Sequence, residues 1–350
     1  MALKSPLSLQ QRLLAWFRQN ARTLPWRRTK DPYKIWVSEI MLQQTQVETV
    51  IPYYRNWIRR FPTLKSLAQA GRSEVLKHWA GLGYYRRARM VHEATKFLRR
   101  HRDGKIPETA EELIKLPGIG RYTAGAIASI AFGKKTPVLD GNVIRVLTRI
   151  YTIPQDTRLS KTLARLWKIS ESLLQNYPPG DFNQAMMELG ATVCLPDYPR
   201  CGICPISAFC KAHRMRRETY FPVKTQRERT LKKRTCALIL RHDDKVLIQK
   251  QSDNARWGGL WTFPFWENRK SMRRELGVDS KQLQHRLTIQ HGFTRYRISL
   301  DVYEYRHMES DLTTCPRVRG FRWVKTKTLS RYAFPSPHQK IAETLAKNGS

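Results

Sequence analysis

The stretch Leu116–Ala128, LPGIGRYTAGAIA, decides how the first half of the chain is read. An apolar Leu116 leads into Pro-Gly-Ile-Gly, and the small-residue run TAGAIASIAF follows. The spacing predicts two helices joined by a tight hairpin. Glycines permit the sharp turn and let a foreign backbone come close. The amides that open the second helix then point outward, where a phosphate can sit. Alone, a Gly-x-Gly turn between helices is an ordinary connector. Here it belongs to a chain of 350 residues with 64 lysines and arginines against 28 acids, a net charge of +36. An excess that large calls for a polyanion, with nucleic acid the first candidate. A membrane surface comes second, but no strongly basic amphipathic helix with an aromatic face stands out.

Outward from the hairpin, residues 1–215 read as helical. SLQQRLLAWFRQN puts Leu9, Leu13, Trp16 and Phe17 on one face. VIPYYRNWIRRF and EVLKHWAGLGYYRRARMVHEATKFLRRH show similar spacing, and PETAEELIKL begins with the acids a helix start favours. NVIRVLTRI aligns Val143, Val146, Leu147 and Ile150. From Lys211 the periodicity fails and basic residues accumulate, so residues 216–234 read as a connector. Residues 235–350 change to strand patterns: TCALIL and VLIQK as a hairpin around RHDDK, then RLTIQ, RISLDVYEY and GFRWVK, with SMRREL and HQKIAETLAK as helices. The expected fold is an all-α domain followed by an α+β domain. Hydrophobic residues make up 41%, enough for real cores. No apolar run approaches the roughly 20 residues of a membrane span, and the N-terminus lacks a signal-peptide core. A soluble, intracellular, cytoplasmic monomer is expected.

Four of the six cysteines crowd together as Cys194-x6-Cys201-x2-Cys204-x5-Cys210. Four thiolates hold zinc or an iron–sulfur cluster. Zinc ribbons bring two CxxC-like pairs across a longer loop, whereas one CxxC flanked by single cysteines fits a compact loop around one cubane. Cys236 and Cys315 lie in strand-like segments and read as packing residues.

Ile35–Gln46, IWVSEIMLQQTQ, carries large apolar residues on every side of any helix it forms, yet Glu39 sits in its middle. A buried carboxylate is costly when ionised, so its pKa rises and it keeps its proton. Such an acid can donate that proton, or an arginine can pair with it to anchor helices. Asp140, just before NVIRVLTRI, is placed to cap that helix.

Together these features resemble the helix-hairpin-helix DNA glycosylase superfamily, whose best-known member is endonuclease III. LPGIG, the aspartate in VLDGNVIR and the 6-2-5 cysteine spacing match in order. LPWR, DPYKIWVSEIMLQQTQV, GLGYYRRAR and DFNQAMMELGA narrow the similarity to the adenine DNA glycosylases, across essentially the whole chain. The resemblance implies a helical catalytic domain with a [4Fe–4S] cluster on Cys194, Cys201, Cys204 and Cys210, then a Nudix-like domain. It implies double-stranded DNA as partner, with adenine removed opposite 8-oxoguanine or guanine. Glu39 matches the family's general acid and Asp140 the carboxylate that steadies the sugar cation; Tyr122 and Asn142 match supporting residues. The endonuclease III branch carries a Schiff-base lysine where Tyr122 stands, and a phenol cannot form an imine. A monofunctional glycosylase is expected.

By the same resemblance, Gln44 and Tyr84 match wedge residues that fill the gap left by the flipped base. Leu116, Gly118 and Gly120 belong to the DNA-gripping hairpin. Leu24, Trp26, Arg27 and Gln184 match the adenine pocket. Phe293, Thr294 and Arg295 align with a lesion-reading loop, with Arg295 replacing the usual histidine. LWTFPFWENRKSMRRELGV looks like a shortened Nudix box that keeps Arg274, Glu275 and Gly277 but lacks the magnesium-binding acids, so nucleotide hydrolysis is not expected. Competing readings are an endonuclease III-like or other mismatch glycosylase and, in a different class, a non-enzymatic DNA-binding protein.

Overall fold

The computed structural model describes residues 7–174, 176–223, 230–277, 282–293, 296–306 and 321–347. Its helices are α1 Leu9–Asn20, α2 Pro32–Leu42, α3 Val47–Arg60, α4 Leu64–Gln69, α5 Arg72–Trp79, α6 Arg86–His101 and α7 Ala110–Leu113. Then come α8 Arg121–Phe132, α9 Gly141–Tyr151, α10 Ser160–Leu174, α11 Pro179–Thr192, α12 Lys211–Arg214, α13 Arg269–Leu276 and α14 Ser336–Lys347. The strands are β1 Leu231–His242, β2 Lys245–Lys250, β3 Trp261–Thr262, β4 Phe265–Trp266, β5 Gln284–Phe293, β6 Tyr296–Arg306 and β7 Phe321–Lys325. No helix among the described residues is long and apolar enough to cross a membrane.

Contacts divide the chain into two units: Met1–Gln69 with Met90–Arg227, and Ala70–Arg89 with Glu228–Ser350. This departs from a break confined to a connector. The physical reason lies within the second unit. Arg72 Nη1 pairs with Asp253 Oδ2 at 2.8 Å, and Arg89 Nη1 donates to the carbonyls of Asp253 (3.0 Å) and Gly258 (3.2 Å). Tyr85 Oη donates to the carbonyl of Phe334 at 3.3 Å. The expected connector is also shorter at its end, because β1 starts at Leu231 and pairs in parallel with β6 from its first residue. The long helix expected over residues 74–101 is two, α5 and α6, interrupted where Gly81 (φ 100°) and Gly83 (φ 75°) leave helical space.

The first unit is a helical assembly in which one core cluster joins α1, α2, α8, α9, α10 and α11, while Trp36, Trp57 and Phe61 are buried outside that cluster. Leu13 and Phe17 of α1, Ile35 of α2, Ile130 of α8, Val143, Val146 and Leu147 of α9, Leu166 of α10, and Phe182 and Leu189 of α11 meet in it. Each large apolar side chain withdrawn from water in this cluster contributes roughly 1.5–3 kcal/mol to the unit's stability. Helix α2 contributes more than an apolar stripe: Ile35, Trp36, Val37, Ser38, Glu39, Ile40 and Met41 are all buried. Pro32 opens it and Asp31 caps it, accepting from the amides of Tyr33 and Lys34. Glu39 is therefore carried inside on a fixed rod.

In the second unit the described strands form one mixed sheet in the order β3-β2-β1-β6-β5, with β4 pairing β1 and β7 pairing β2. The β1–β2 hairpin turns through Asp243 and Asp244, Asp243 adopting a φ of 50°. Side chains from one face, with Phe263, Phe334 and Ile341, make a core of their own.

Candidate active site

The hairpin is built as its residues require. Leu116 and Ile119 are buried, and the amide of Ile119 donates to the carbonyl of Leu116 at 3.2 Å. Gly118 has a φ of 77°, and a Cβ there would lie 2.4 Å from Met90 Cβ, so the position needs glycine on both counts. Gly120 precedes α8 with no side chain capping it, which leaves the helix's first amides free of any capping side chain. Tyr122, one residue into that helix, reaches from the hairpin to α2.

Tyr122 Oη donates to Glu39 Oε2 at 2.6 Å and contacts Met187 Sδ at 3.2 Å. Glu39 is 5% exposed. Burial pushes its pKa up to about 7, while the Tyr122 hydroxyl pulls down, the Asp140 charge pushes up and Arg27 pulls down. Tyr122 lies well above the ordinary phenol value, through burial and then through the charges of Glu39 and Asp140, so it stays a donor.

Asp140 caps α9: its Oδ1 accepts from the Val143 amide at 2.7 Å and its Oδ2 from Asn142 Nδ2 at 2.9 Å. Burial raises its pKa, and these hydrogen bonds and the Arg145 charge oppose the rise. Asn142 is fixed in turn by Arg145 Nη2, which donates to its Oδ1 at 2.8 Å. Gly190 lets α11 close on this point, since a Cβ there would fall 2.5 Å from Asn142 Cβ.

Glu39, Tyr122, Asp140 and Asn142 line one cavity of about 700 Å³, with Gln44, Leu24, Trp26, Arg27 and Gln184 also on its wall. That lies within the roughly 300–1,000 Å³ of small-ligand sites. Trp26 is buried and meets Tyr54 edge-on, with ring centroids 5.3 Å apart. Gln184 Nε2 donates to the carbonyl of Gly180 at 3.2 Å. Gln44 is exposed with a φ of 56°. Tyr84, 43% exposed with a φ of 46°, belongs to the other unit. Both are non-glycine residues held in left-handed backbone, a strain of about 1–3 kcal/mol that tends to mark functional positions. Phe293 ends β5; Thr294 and Arg295 lie outside the described residues, as does Cys315.

Three charged wall residues, Arg22, Arg145 and Glu188, escaped the sequence reading. Glu188 of α11 is 1% exposed. It pairs with Arg22 (2.8 and 2.9 Å) and with Arg27 (2.8 Å). Burial pushes its pKa up, but the two guanidiniums win and hold it at about 2. The wall thus carries three carboxyls: Glu188 locked as an anion, Glu39 balanced near neutrality, and Asp140, whose pKa burial also raises.

Cys194, Cys201, Cys204 and Cys210 are all free and half-buried. Each of the last three senses the charge of Cys194, so the sulfurs converge. Arg149 Nη1 donates to Cys194 Sγ at 3.3 Å, a contact that favours thiolate. The four residues therefore fit a thiolate-ligated group. A second donor set overlaps them: Cys201, His213 and Glu218 present ligand atoms within 4.8 Å of one another, His213 Nδ1 lying 2.6 Å from Glu218 Oε1.

Comparison with known proteins matches residues 37–172 to the HhH-GPD superfamily of base excision DNA repair proteins and residues 235–344 to the NUDIX domain. The chain is 35% identical to adenine DNA glycosylase of Homo sapiens, over 94% of this chain and 72% of the relative. It is 33% identical to that of Buchnera aphidicola subsp. Schizaphis graminum, over 95% and 97%. Among solved structures, a thermostable thymine-DNA glycosylase is similar at 28% identity and a TM-score of 0.55, covering 59% of this chain and 95% of its own. A trapped endonuclease III–DNA covalent intermediate shares the fold at a TM-score of 0.50 and 21% identity, over 59% of this chain and 94% of its own.

Proposed function

The chain belongs to the adenine DNA glycosylases of the HhH-GPD base-excision-repair superfamily, and from that premise we propose that Glu39 and Asp140 share the excision of adenine mispaired with 8-oxoguanine or guanine. The enzyme cleaves the N-glycosidic bond of adenine in DNA. The observation that carries the proposal is the common cavity: a carboxyl near neutrality and a capped, multiply hydrogen-bonded carboxylate open onto the same space. Burial raises the pKa of both, while the Val143 amide, Asn142 and Arg145 favour the ionised form of Asp140, which suits Glu39 to the acid role and Asp140 to the charge-stabilising one.

Adenine is a poor leaving group until N7 is protonated. Glu39 in its acid form supplies that proton. As the bond breaks, positive charge grows on the sugar, and Asp140 faces it. Asn142 and Arg145 hold Asp140 in place. Tyr122 orients Glu39 and, lacking an amine, cannot form an imine with the sugar, so the product is an abasic site with the strand intact. The lost proton on Glu39 then makes it a base for the incoming water.

The base enters the cavity only after leaving the stack. Gln44 and Tyr84 act as wedges, the hairpin grips phosphate, and Leu24, Trp26, Arg27 and Gln184 frame the adenine. Phe293, Thr294 and Arg295 read the lesion. Cys194, Cys201, Cys204 and Cys210 hold a [4Fe–4S] cluster, which supplies a rigid anchor for its loop when bound. An enzyme acting on chromosomal DNA works where that DNA lies, in a bacterium the cytoplasm and its nucleoid.

The test compares excision from labelled duplexes carrying adenine opposite 8-oxoguanine, guanine and thymine, by wild type and Glu39→Gln, with and without alkali. Excision should be fastest opposite 8-oxoguanine and absent in Glu39→Gln, and strands should break only after alkali. Equal rates against all three partners would remove the lesion-reading proposal. Breaks without alkali would remove the monofunctional mechanism.

A further inference from the structure

Arg149 is the most deeply placed cation in the α9 region, 2% exposed, and the mechanism does not use it. Its guanidinium is fully engaged. Nε donates to the carbonyl of Phe221 at 3.1 Å, Nη1 to the carbonyl of Leu195 at 2.6 Å, and Nη2 to that of Pro196 at 2.7 Å. Nη1 also donates to Cys194 Sγ at 3.3 Å, and Cys210 Sγ lies 3.5 Å from the carbonyl oxygen of Arg149. One residue thus touches the first and the last of the four clustered cysteines and both carbonyls that follow Cys194.

What it lacks is an anion. None of the ion pairs found among the described residues joins Arg149 to a carboxylate. Its neighbour one turn earlier, Arg145, faces Asn142 and the field of Asp140. A cation this buried without a counter-charge costs several kcal/mol, so buried guanidiniums are paired. The partner in contact is sulfur. Four thiolates around an iron–sulfur core leave a net negative charge, and N–H donors to such sulfurs favour the more reduced, more negative state.

Resting on the cluster assignment above, we infer that Arg149 is the buried counter-ion of the metal group held by the four cysteines, a positioning residue that fixes Cys194 and sets the group's charge balance. Its fork geometry ties the loop; its charge tunes the group. The two contributions are separable, because lysine keeps the charge and loses the fork.

The experiment uses the full-length protein purified without oxygen, as wild type, Arg149→Met, Arg149→Lys and, as a surface-charge control, the exposed Arg165→Met. Iron and sulfide per chain, the rate of bleaching in air and the midpoint potential are measured. Arg149→Met should bleach about tenfold faster, the scale of losing a ligand's supporting partner, and its potential should fall. Arg149→Lys should bleach faster yet keep nearly the wild-type potential, and Arg165→Met should match wild type. Wild-type behaviour of Arg149→Met in both readouts overturns the inference, as does an equal fall in potential for Met and Lys. If Arg149→Met does not fold, Arg149→Lys decides: unchanged bleaching overturns it. Wild type bearing zinc without iron would overturn the cluster assignment itself, a result read before any variant is made.

Discussion

At the scale of single residues, the proposed chemistry rests on a carboxyl whose proton is held by burial. Glu39 has an ordinary value of 4.5 and stands at about 7 in the folded protein. By the proposed mechanism excision needs Glu39 as the acid and Asp140 as the anion, so the rate should fall about tenfold per pH unit above pH 7 and fall again in acid as Asp140, its own pKa raised by burial, takes up a proton. The Tyr122 hydroxyl pulls that pKa down. Tyr122→Phe should therefore move the falling limb to higher pH, measurable in a single-turnover pH profile; a limb that stays or moves down would refute the hydrogen bond's role. Stability has its own signature. A raised folded pKa means that stability is complete below pH 4.5, falls as pH climbs toward 7, and stays reduced beyond. That shift corresponds to about 3 kcal/mol. Glu39→Gln should accordingly be inactive yet gain Tm over wild type at pH 8 but not at pH 4. Glu39 was legible because an acid inside an all-apolar helix is visible without a structure. Its neighbours Arg22 and Glu188 were not, because they meet across 166 positions of chain and each looks like a surface charge on its own.

At the scale of elements, one aspartate caps a helix and, in the mechanism proposed here, also serves the reaction. As the cap of α9, Asp140 satisfies the Val143 amide, worth about 0.5–2 kcal/mol. On the wall of the cavity, its proposed role is to meet the sugar cation. Asparagine caps nearly as well as aspartate but carries no charge. Asp140→Asn should therefore melt within a few degrees of wild type while excision falls by about 10²-fold or more. A large loss of Tm with proportionate loss of rate would leave only the capping role. The cap was legible from Asp-Gly-Asn before an amphipathic run, and so was the hairpin. The split between α5 and α6 was not, because the apolar spacing continues across Gly81 and Gly83 and only their positive φ interrupts it. Arg145 and Arg149 were passed over for a related reason. The apolar face of α9 was read as the whole of its buried surface, yet both arginines are drawn in by carbonyls of the loop after Cys194 and by the segment before it. Two arginines four apart on a helix that precedes a cysteine cluster are the signal that could have exposed them.

At the scale of the whole molecule, the chain joins a unit that holds the complete chemical cavity to one whose fold elsewhere hydrolyses nucleotides. All the cavity's wall residues fall within Met1–Gln69 and Met90–Arg227. The second unit also claims Ala70–Arg89, tied to it by Arg72 and Arg89, which sequence reading assigned to the helical domain because those residues are helical. Local pattern reports secondary structure; membership of a unit depends on partners far along the chain. Whether the second unit keeps a Nudix activity is decided by charge at α13. The helix reads RKSMRREL, with a single acid, Glu275, whose carboxylate accepts a hydrogen bond from Trp266 Nε1. Magnesium at a phosphate site needs carboxylate oxygens free to bind it. Here the one candidate is occupied and four cations, Arg269, Lys270, Arg273 and Arg274, share its helix. The purified protein should release no pyrophosphate or phosphate from nucleoside triphosphates, oxidised or not, with magnesium or manganese present. Metal-dependent release that disappears in Glu275→Gln but leaves adenine excision intact would show instead that the second unit is a hydrolase in its own right.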